Sequence, residues 1–133
     1  LFVSDVYNNK IRKIVISSGA VTTFAGPPAS TTTFGDTDNA TASNARFYNP
    51  TGITTDGTNL YVADYSNNKI RQIVISSGEV TTLAGPPAGT TTAGDTDNDT
   101  ASNARFNYPY GLSSDGTYVY VGDYANNKIR RIE

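Results

Sequence analysis

Residues 50–71 read PTGITTDGTNLYVADYSNNKIR, and this stretch with the residues after it lays out four short strands. Gly52-Ile53-Thr54-Thr55 is brief and β-branched, and it stops at the turn pair Asp56-Gly57. Leu60-Tyr61-Val62-Ala63-Asp64 alternates at period two, which suits a pleated strand. Lys69 to Ile75 is rich in Ile and Val and ends at Ser76-Ser77-Gly78. Glu79 to Leu83 follows and ends at Ala84-Gly85-Pro86-Pro87, where proline removes a ladder donor. Short strands joined by tight turns predict an antiparallel meander. No segment carries helical periodicity.

The stretch recurs. Leu1 to Asn59 aligns without a gap on Leu60 to Tyr118, and Val119 to Glu133 opens a third copy. The period is 59, and 17 positions differ between the two full copies, leaving 42 of 59 identical. NNKIR stands at Asn8–Arg12, Asn67–Arg71 and Asn126–Arg130, and TASNARF at Thr41–Phe47 and Thr100–Phe106. Ile73-Val74-Ile75 puts apolar groups on both faces of its strand, whereas a sheet with one wet face would alternate. Such a sheet belongs between two like sheets, and four-stranded meanders stacked around an axis form a β-propeller. The alternative is a stacked solenoid, whose repeats usually run about 20–45 residues.

Pro50-x-Gly52-Ile53, Asp56-Gly57, Leu60-Tyr61-Val62-Ala63-Asp64 and Asn67-Asn68-Lys69-Ile70-Arg71, in that order, resemble the NHL repeat, a propeller blade unit. The pattern recurs from Pro109 to Arg130, and Leu1 to Arg12 keeps its second half. The long segment Pro86 to Tyr108 resembles the inter-blade stretch of bacterial NHL proteins, with Asp97-Asn98 where Asp-Gly is usual. Asn tolerates the same left-handed turn.

The expected fold is therefore all-β. Residues 1–24 form a partial blade with strands two to four, 25–49 a loop, 50–84 a full blade, 85–108 a second loop, and 109–133 a partial blade with strands one to three. That is ten strands, about two and a half blades, where closure typically takes four to eight. Val3, Val62 and Val121 should be buried alike, as should Ile11, Ile70 and Ile129. Antiparallel order puts both loops on the rim that carries the Asn-Asn turns.

Composition narrows the chemistry. The 133 residues contain no His, Cys, Met or Trp, which excludes Ser-His-Asp and Cys-His catalysis, structural zinc and disulfides. Twelve acidic and 10 basic residues leave a net charge of -2, and hydrophobic residues make up 37%. Nucleic-acid binders need a basic footprint, and membrane spans need about 18 apolar residues in a row; neither occurs here. Eight basic residues do cluster in or beside the NNKIR copies, but aspartates recur next to them, so ion pairing between blades is the expected outcome. Thr (19), Asn (13) and Ser (11) fill about a third of the chain, a composition read as extracellular or cell-surface and of secreted bacterial type. The chain opens on Leu1 and reads as a piece of something longer.

Several motifs are candidates for a site. Asp95, Asp97 and Asp99 sit at i, i+2, i+4, like the first half of a calcium loop, against a solvated turn. Asp64, Asn67 and Asn68 form a polar rim for a ligand or an assembly partner, against turn-building roles. Arg105 is expected to pair with a loop aspartate beside Phe106, which plugs a gap between blades. Tyr108 and Tyr110 flank Pro109 and could stack on sugars or peptides. Asn39-Ala40-Thr41 and Asn98-Asp99-Thr100 match the N-glycosylation pattern, and the threonine triplets after the prolines suit O-glycans.

The function expected is a non-enzymatic structural or interaction module with no cofactor. Its partners would be further blades of a longer chain or its own copies in an oligomer, ring or filament; a glycan or peptide ligand is the alternative. The resemblance also brings in propeller lyases and calcium-dependent lactonases. The first uses a His-bound metal, and the second needs Glu, Asp and Asn converging on the channel. Here the innermost strands, Gly52–Thr55 and Gly111–Ser114, offer only Thr and Ser.

Overall fold

Each sheet folds back on itself at an Asn-Asn corner, and the reason is conformational. Residues 65–67 make one 3-10 turn, and Asn68 then sits at φ 56, in the left-handed region, its N–H bonded to the Tyr65 carbonyl at 3.3 Å. Asn9 and Asn127 do the same at φ 55. Asn enters that region more readily than other side-chain-bearing residues, so NNKIR is first of all a corner.

The computed structural model describes residues 1–133. Ten strands form three antiparallel meanders. The first sheet holds β1 (Phe2–Asp5), β2 (Lys10–Ile14) and β3 (Val21–Ala25); the second holds β4 (Pro50–Thr55), β5 (Asn59–Asp64), β6 (Lys69–Val74) and β7 (Val80–Ala84); the third holds β8 (Pro109–Ser114), β9 (Val119–Asp123) and β10 (Lys128–Ile132). These are three propeller blades, the outer two with three strands each. Register repeats with the sequence. Ile73 pairs with Val80, Arg71 with Thr82 and Ile70 with Ala84, with a bulge between Ile70 and Arg71; Ile14, Arg12 and Ile11 pair with Val21, Thr23 and Ala25 in the same way. No helix is long and apolar enough to cross a membrane.

The blades pack face to face through two cores. Ile11 and Ala25 of the first blade meet Leu60, Val62, Ile73 and Val80 of the second, with Ala45 and Phe47 of the first loop between them. On the opposite face Ala63, Ile70 and Ala84 meet Val119 and Val121, with Ala104 and Phe106 between. Each aliphatic side chain so buried contributes roughly 1.5–3 kcal/mol. The middle sheet is apolar on both faces, as expected, but Ile70 and Ala63 supply the second face. Ile75 packs against the first core instead. Near the axis the inner strands come together closely. A Cβ on Gly52 would lie 2.4 Å from the Tyr110 carbonyl oxygen and 2.8 Å from the Leu112 nitrogen, so glycine is required there.

Each of the two expected equivalences holds for two of its three residues and fails for the third. Val62, Val121, Ile11 and Ile70 are all fully buried. Val3 is 37% exposed and Ile129 is 79% exposed. The cause is position in the stack. Val3 lies on the outer face of the first blade and Ile129 on the outer face of the third, and no sheet covers either.

Candidate functional site

The rim that carries the Asn-Asn corners also carries both long loops, and the sheet's own polar residues hold them there. Asn67 Nδ2 donates to the Gly35 carbonyl at 2.6 Å, and Asn68 Nδ2 donates to Thr91 at 2.8 Å. Asn68 Oδ1 accepts the Tyr108 N–H at 2.9 Å, as Asn9 Oδ1 accepts that of Asn49 at 2.8 Å. The two asparagines thus work in opposite directions: Asn67 grips the loop before its blade and Asn68 the loop after it.

Asp64 and Arg71 sit beneath this rim, both buried. Asp64 accepts the Tyr48 N–H at 2.7 Å, Asn67 Nδ2 at 2.9 Å and Arg71 Nη1 at 2.8 Å. Burial pushes its carboxyl above the usual range, against the pull of Arg71, Asn67 and the Tyr48 amide. Arg71 also donates to the Arg46 and Thr37 carbonyls, pairs with Asp38 at 2.6 Å, and lies 5.2 Å over the Phe47 ring. Lys69, equally buried, pairs with Asp36 at 2.7 Å. Burial raises the Asp36 carboxyl, but the hydrogen bond and charge of Lys69 outweigh it, and the net shift is downward. Apart from Arg71 Nε, which is buried without a hydrogen-bond partner, the polar groups named here hold backbone, one another or a counter-charge.

The third blade repeats the network, and it engages two of the three aspartates read as calcium ligands. Asp95 pairs with Lys128 at 2.7 Å and Asp97 with Arg130 at 2.5 Å, while Asp99 stays exposed. Residues at i and i+2 on an extended chain face one way. Two carboxylates on the loop therefore meet two cations on the strand, one to one, and no group of carboxylates converges to hold a metal. Of the clustered basic residues Lys10, Lys69, Arg71 and Arg130 are buried, Arg12 is half-buried, and Lys13, Lys128 and Arg131 are exposed.

Arg105 does not pair with a loop aspartate. It curls over its own loop and donates to the Ser102 and Ala104 carbonyls at 2.8 and 2.7 Å, as Arg46 does to Ser43 and Ala45. Its Cβ lies 2.9 Å from where a Cβ on Gly94 would stand, so neighbouring loop backbone already fills its far side. Phe106 is buried between blades, as expected, beneath Arg130 at 5.1 Å. Asn39 Oδ1 and Asn98 Oδ1 each accept the N–H two residues on, at 2.8 and 2.9 Å; Asn98 is exposed and Asn39 half-buried.

Tyr108 and Tyr110 are exposed, and two tyrosines absent from the sequence reading join them. Tyr65 stacks on Tyr108 with centroids 4.8 Å apart and meets Tyr110 edge-on at 6.0 Å; Tyr124 lies 6.3 Å beyond. The available signal was that the first copy has Val6, Asn49 and Thr51 where this one has Tyr65, Tyr108 and Tyr110. Tyr108 stands at φ 54, a conformation easy for Asn49 (φ 53) and unfavourable for an aromatic residue.

No family model matches the chain. Human NHL repeat-containing protein 2 is 36% identical over an alignment of 140 positions that takes in 98% of this chain. The chain belongs to the NHL-repeat family. It spans 18% of that relative's length. Solved structures agree on the propeller fold of these NHL blades. A structural genomics protein of unknown function from Bacteroides thetaiotaomicron superposes with a TM-score of 0.81 and 28% identity, over 98% of this chain and 31% of its own. An auxiliary nutrient binding protein from Bacteroides ovatus superposes with a TM-score of 0.80 over 99% of this chain and 34% of its own. At 21% identity that likeness speaks for the fold alone.

Proposed function

We propose that the chain is a non-enzymatic structural and interaction module, part of a longer extracellular or cell-surface repeat array or of an oligomeric assembly, of the secreted bacterial type. One contrast carries this reading. The same interface is buried where a neighbouring blade covers it (Ile70, Val62) and open where none does (Ile129, Val3). Exposed aliphatic faces of this kind mark interaction surfaces. The inner strands present Thr and Ser to the axis and the polar network is spent on holding loops, which supports a scaffold rather than a catalyst. The net charge of -2 and the aspartates paired with Lys69, Arg71, Lys128 and Arg130 support partners other than nucleic acid. Sedimentation of the 133-residue chain tests the proposal. A defined multimer or aggregation supports it, and a stable folded monomer of 14.1 kDa refutes it.

A second reading, a glycan- or peptide-binding blade face, is favoured by the Tyr65, Tyr108, Tyr110 and Tyr124 cluster. Holding Tyr108 in the left-handed region costs of order 1–3 kcal/mol, and strain of this kind gathers at ligand sites. A glycan array compares the chain with a variant carrying Tyr65→Val, Tyr108→Asn and Tyr110→Thr. The first copy folds with those residues, so binding lost in the variant is a loss of site rather than of fold.

A further inference from the structure

Two stacked aromatic pairs stand on the rim of loops and corners, one at each joint between blades. At the first joint Phe34 stacks on Tyr48 with centroids 4.3 Å apart; at the second Tyr65 stacks on Tyr108 at 4.8 Å. Phe34, Tyr48 and Tyr108 are exposed and Tyr65 is half-buried. All four lie between two blades of this chain. The pairs are neighbours: Tyr48 donates its N–H to Asp64 at 2.7 Å and accepts that of Ser66 at 3.0 Å, so its backbone brackets Tyr65.

The repeat does not call for these rings. An architectural side chain recurs with the period, as Phe47 does at Phe106. Phe34 and Tyr48 give way to Ala93 and Asn107 in the next copy, while Tyr65 and Tyr108 replace Val6 and Asn49 of the copy before. Each joint thus has one stacked pair, built from different positions. Ala93 is exposed with both loops in place, so the position of Phe34 is open surface in either copy. The Tyr108 ring is held against conformational preference, at φ 54 and before a proline. Folding alone does not account for it.

The chemistry of the surface selects the ligand. The hydroxyls of Tyr48, Tyr65 and Tyr108 have no protein partner, whereas Tyr61 and Tyr120, on the opposite rim, donate theirs to Asp56 and Asp115 at 2.6 and 2.9 Å. Apolar ring faces edged by free hydroxyls match a sugar ring, which has C–H faces and hydroxyls at its margin. The charges beneath are matched, Arg71 with Asp64 at 2.8 Å and Lys69 with Asp36 at 2.7 Å, which favours an uncharged ligand. The Ser66, Asn68 and Tyr108 amides are already engaged, so a peptide main chain finds no donors among them. Two platforms side by side suit a ligand that shows its ring faces in succession. A β-1,4-linked glucose chain does so, since every ring substituent is equatorial and the chain is an extended ribbon.

We infer that this rim is a carbohydrate-binding surface for an uncharged β-1,4-glucan, with one sugar on the Phe34–Tyr48 platform and another on the Tyr65–Tyr108 platform. The inference rests on the second reading above and deepens it, by naming the glycan and by extending the site to the first joint.

Calorimetric titration of the 133-residue chain with cellohexaose and with cellobiose tests it. Saturable binding of cellohexaose is expected, at least about tenfold tighter than that of cellobiose, because the second contact is made intramolecularly. Each platform can be removed with residues that the other copy already folds with: Phe34→Ala with Tyr48→Asn at the first joint, Tyr65→Val with Tyr108→Asn at the second. Each double variant should bind cellohexaose at least about tenfold more weakly and lose the preference for the longer sugar. Neither should melt at a lower temperature than the parent. No binding at millimolar cellohexaose overturns the inference, as does equal affinity for the two sugars or binding that neither variant weakens. The reading on which it rests is scored separately. If only the second-joint variant weakens binding, the tyrosine cluster stands as a site and the two-platform inference falls. Tyrosine-dependent binding to other glycans or peptides on an array, without cellohexaose binding, has the same meaning. An array with no tyrosine-dependent ligand removes both. For an assembled form, electrophoresis through gels containing hydroxyethyl cellulose gives a second readout. The parent should be retarded and each double variant less so; equal mobility overturns the inference.

Discussion

Asp38 and Arg71 lie 33 residues apart in the chain and 2.6 Å apart in space. One belongs to the loop leaving the first blade and the other to the third strand of the second blade, so the loop is fastened across the joint between blades. Beneath them Asp64 takes the other arm of the same guanidinium at 2.8 Å.

The two ion pairs on this motif should therefore differ sharply in worth. Arg71→Ala strands the buried Asp64 carboxylate and frees the loop, and it should cost about 3–5 kcal/mol. Arg12→Ala breaks only the half-exposed 3.3 Å pair with Asp5, and it should cost no more than about 1 kcal/mol. Urea unfolding of both variants checks this. Equal losses would mean that the latch to the loop does not matter.

The inner strands offer a second matched pair. Gly52→Ala drives a methyl into the backbone of the next blade at 2.4 Å and must part the two inner strands. Gly111→Ala meets nothing within 4 Å. The first should cost about 1–3 kcal/mol through overpacking, and the second should stay within about 0.5 kcal/mol. Thermal midpoints of the two variants decide it.

How much of this was legible beforehand depends on what each residue does. Strand limits, blade type and the shared rim of loops and corners follow from local chemistry: alternation at Leu60–Asp64, the Asp56-Gly57 turn, Pro86-Pro87. The use of Asp95 and Asp97 does not, because spacing alone is the same for a calcium loop and for two carboxylates facing Lys128 and Arg130. Only the path of the loop past β10 separates them. Arg105 misled in the same way, since its partners are carbonyls of its own loop and carbonyls leave no mark in a sequence. The tyrosine cluster joins Tyr65 to Tyr108 and Tyr110 across two blades, so it appears only when the blades are side by side.

Acid should loosen the molecule from about pH 4 downward. The Asp56 carboxylate accepts hydrogen bonds from Tyr61 Oη at 2.6 Å and from the Asn59 and Thr58 amides, and these hold it far below the usual range. Asp36 is also lowered, by Lys69 against its burial. Both take up protons more readily unfolded than folded. Their contribution is complete above the unfolded value near 3.9 and is lost as pH falls through the lower folded values. Asp64, raised by burial, runs the opposite way and blunts the loss. Asp56→Asn should flatten the stability profile below pH 4 at a cost of roughly 1–2 kcal/mol at neutral pH.

Ile70 and Ile129 are the same residue in the same motif, and they should respond oppositely to the same change. Ile70 is buried against the third blade, and Ile70→Glu places an unpaired charge in that core, at a cost of at least about 3 kcal/mol. Ile129 is 79% exposed, so Ile129→Glu should leave unfolding of an isolated chain unchanged within about 0.5 kcal/mol. It should nonetheless weaken assembly, because the face that Ile129 offers is the one that Ile70 buries in the middle blade. Sedimentation of the variant beside the parent chain reads this directly. A multimer that persists with Glu at position 129 would show that copies do not meet through this face.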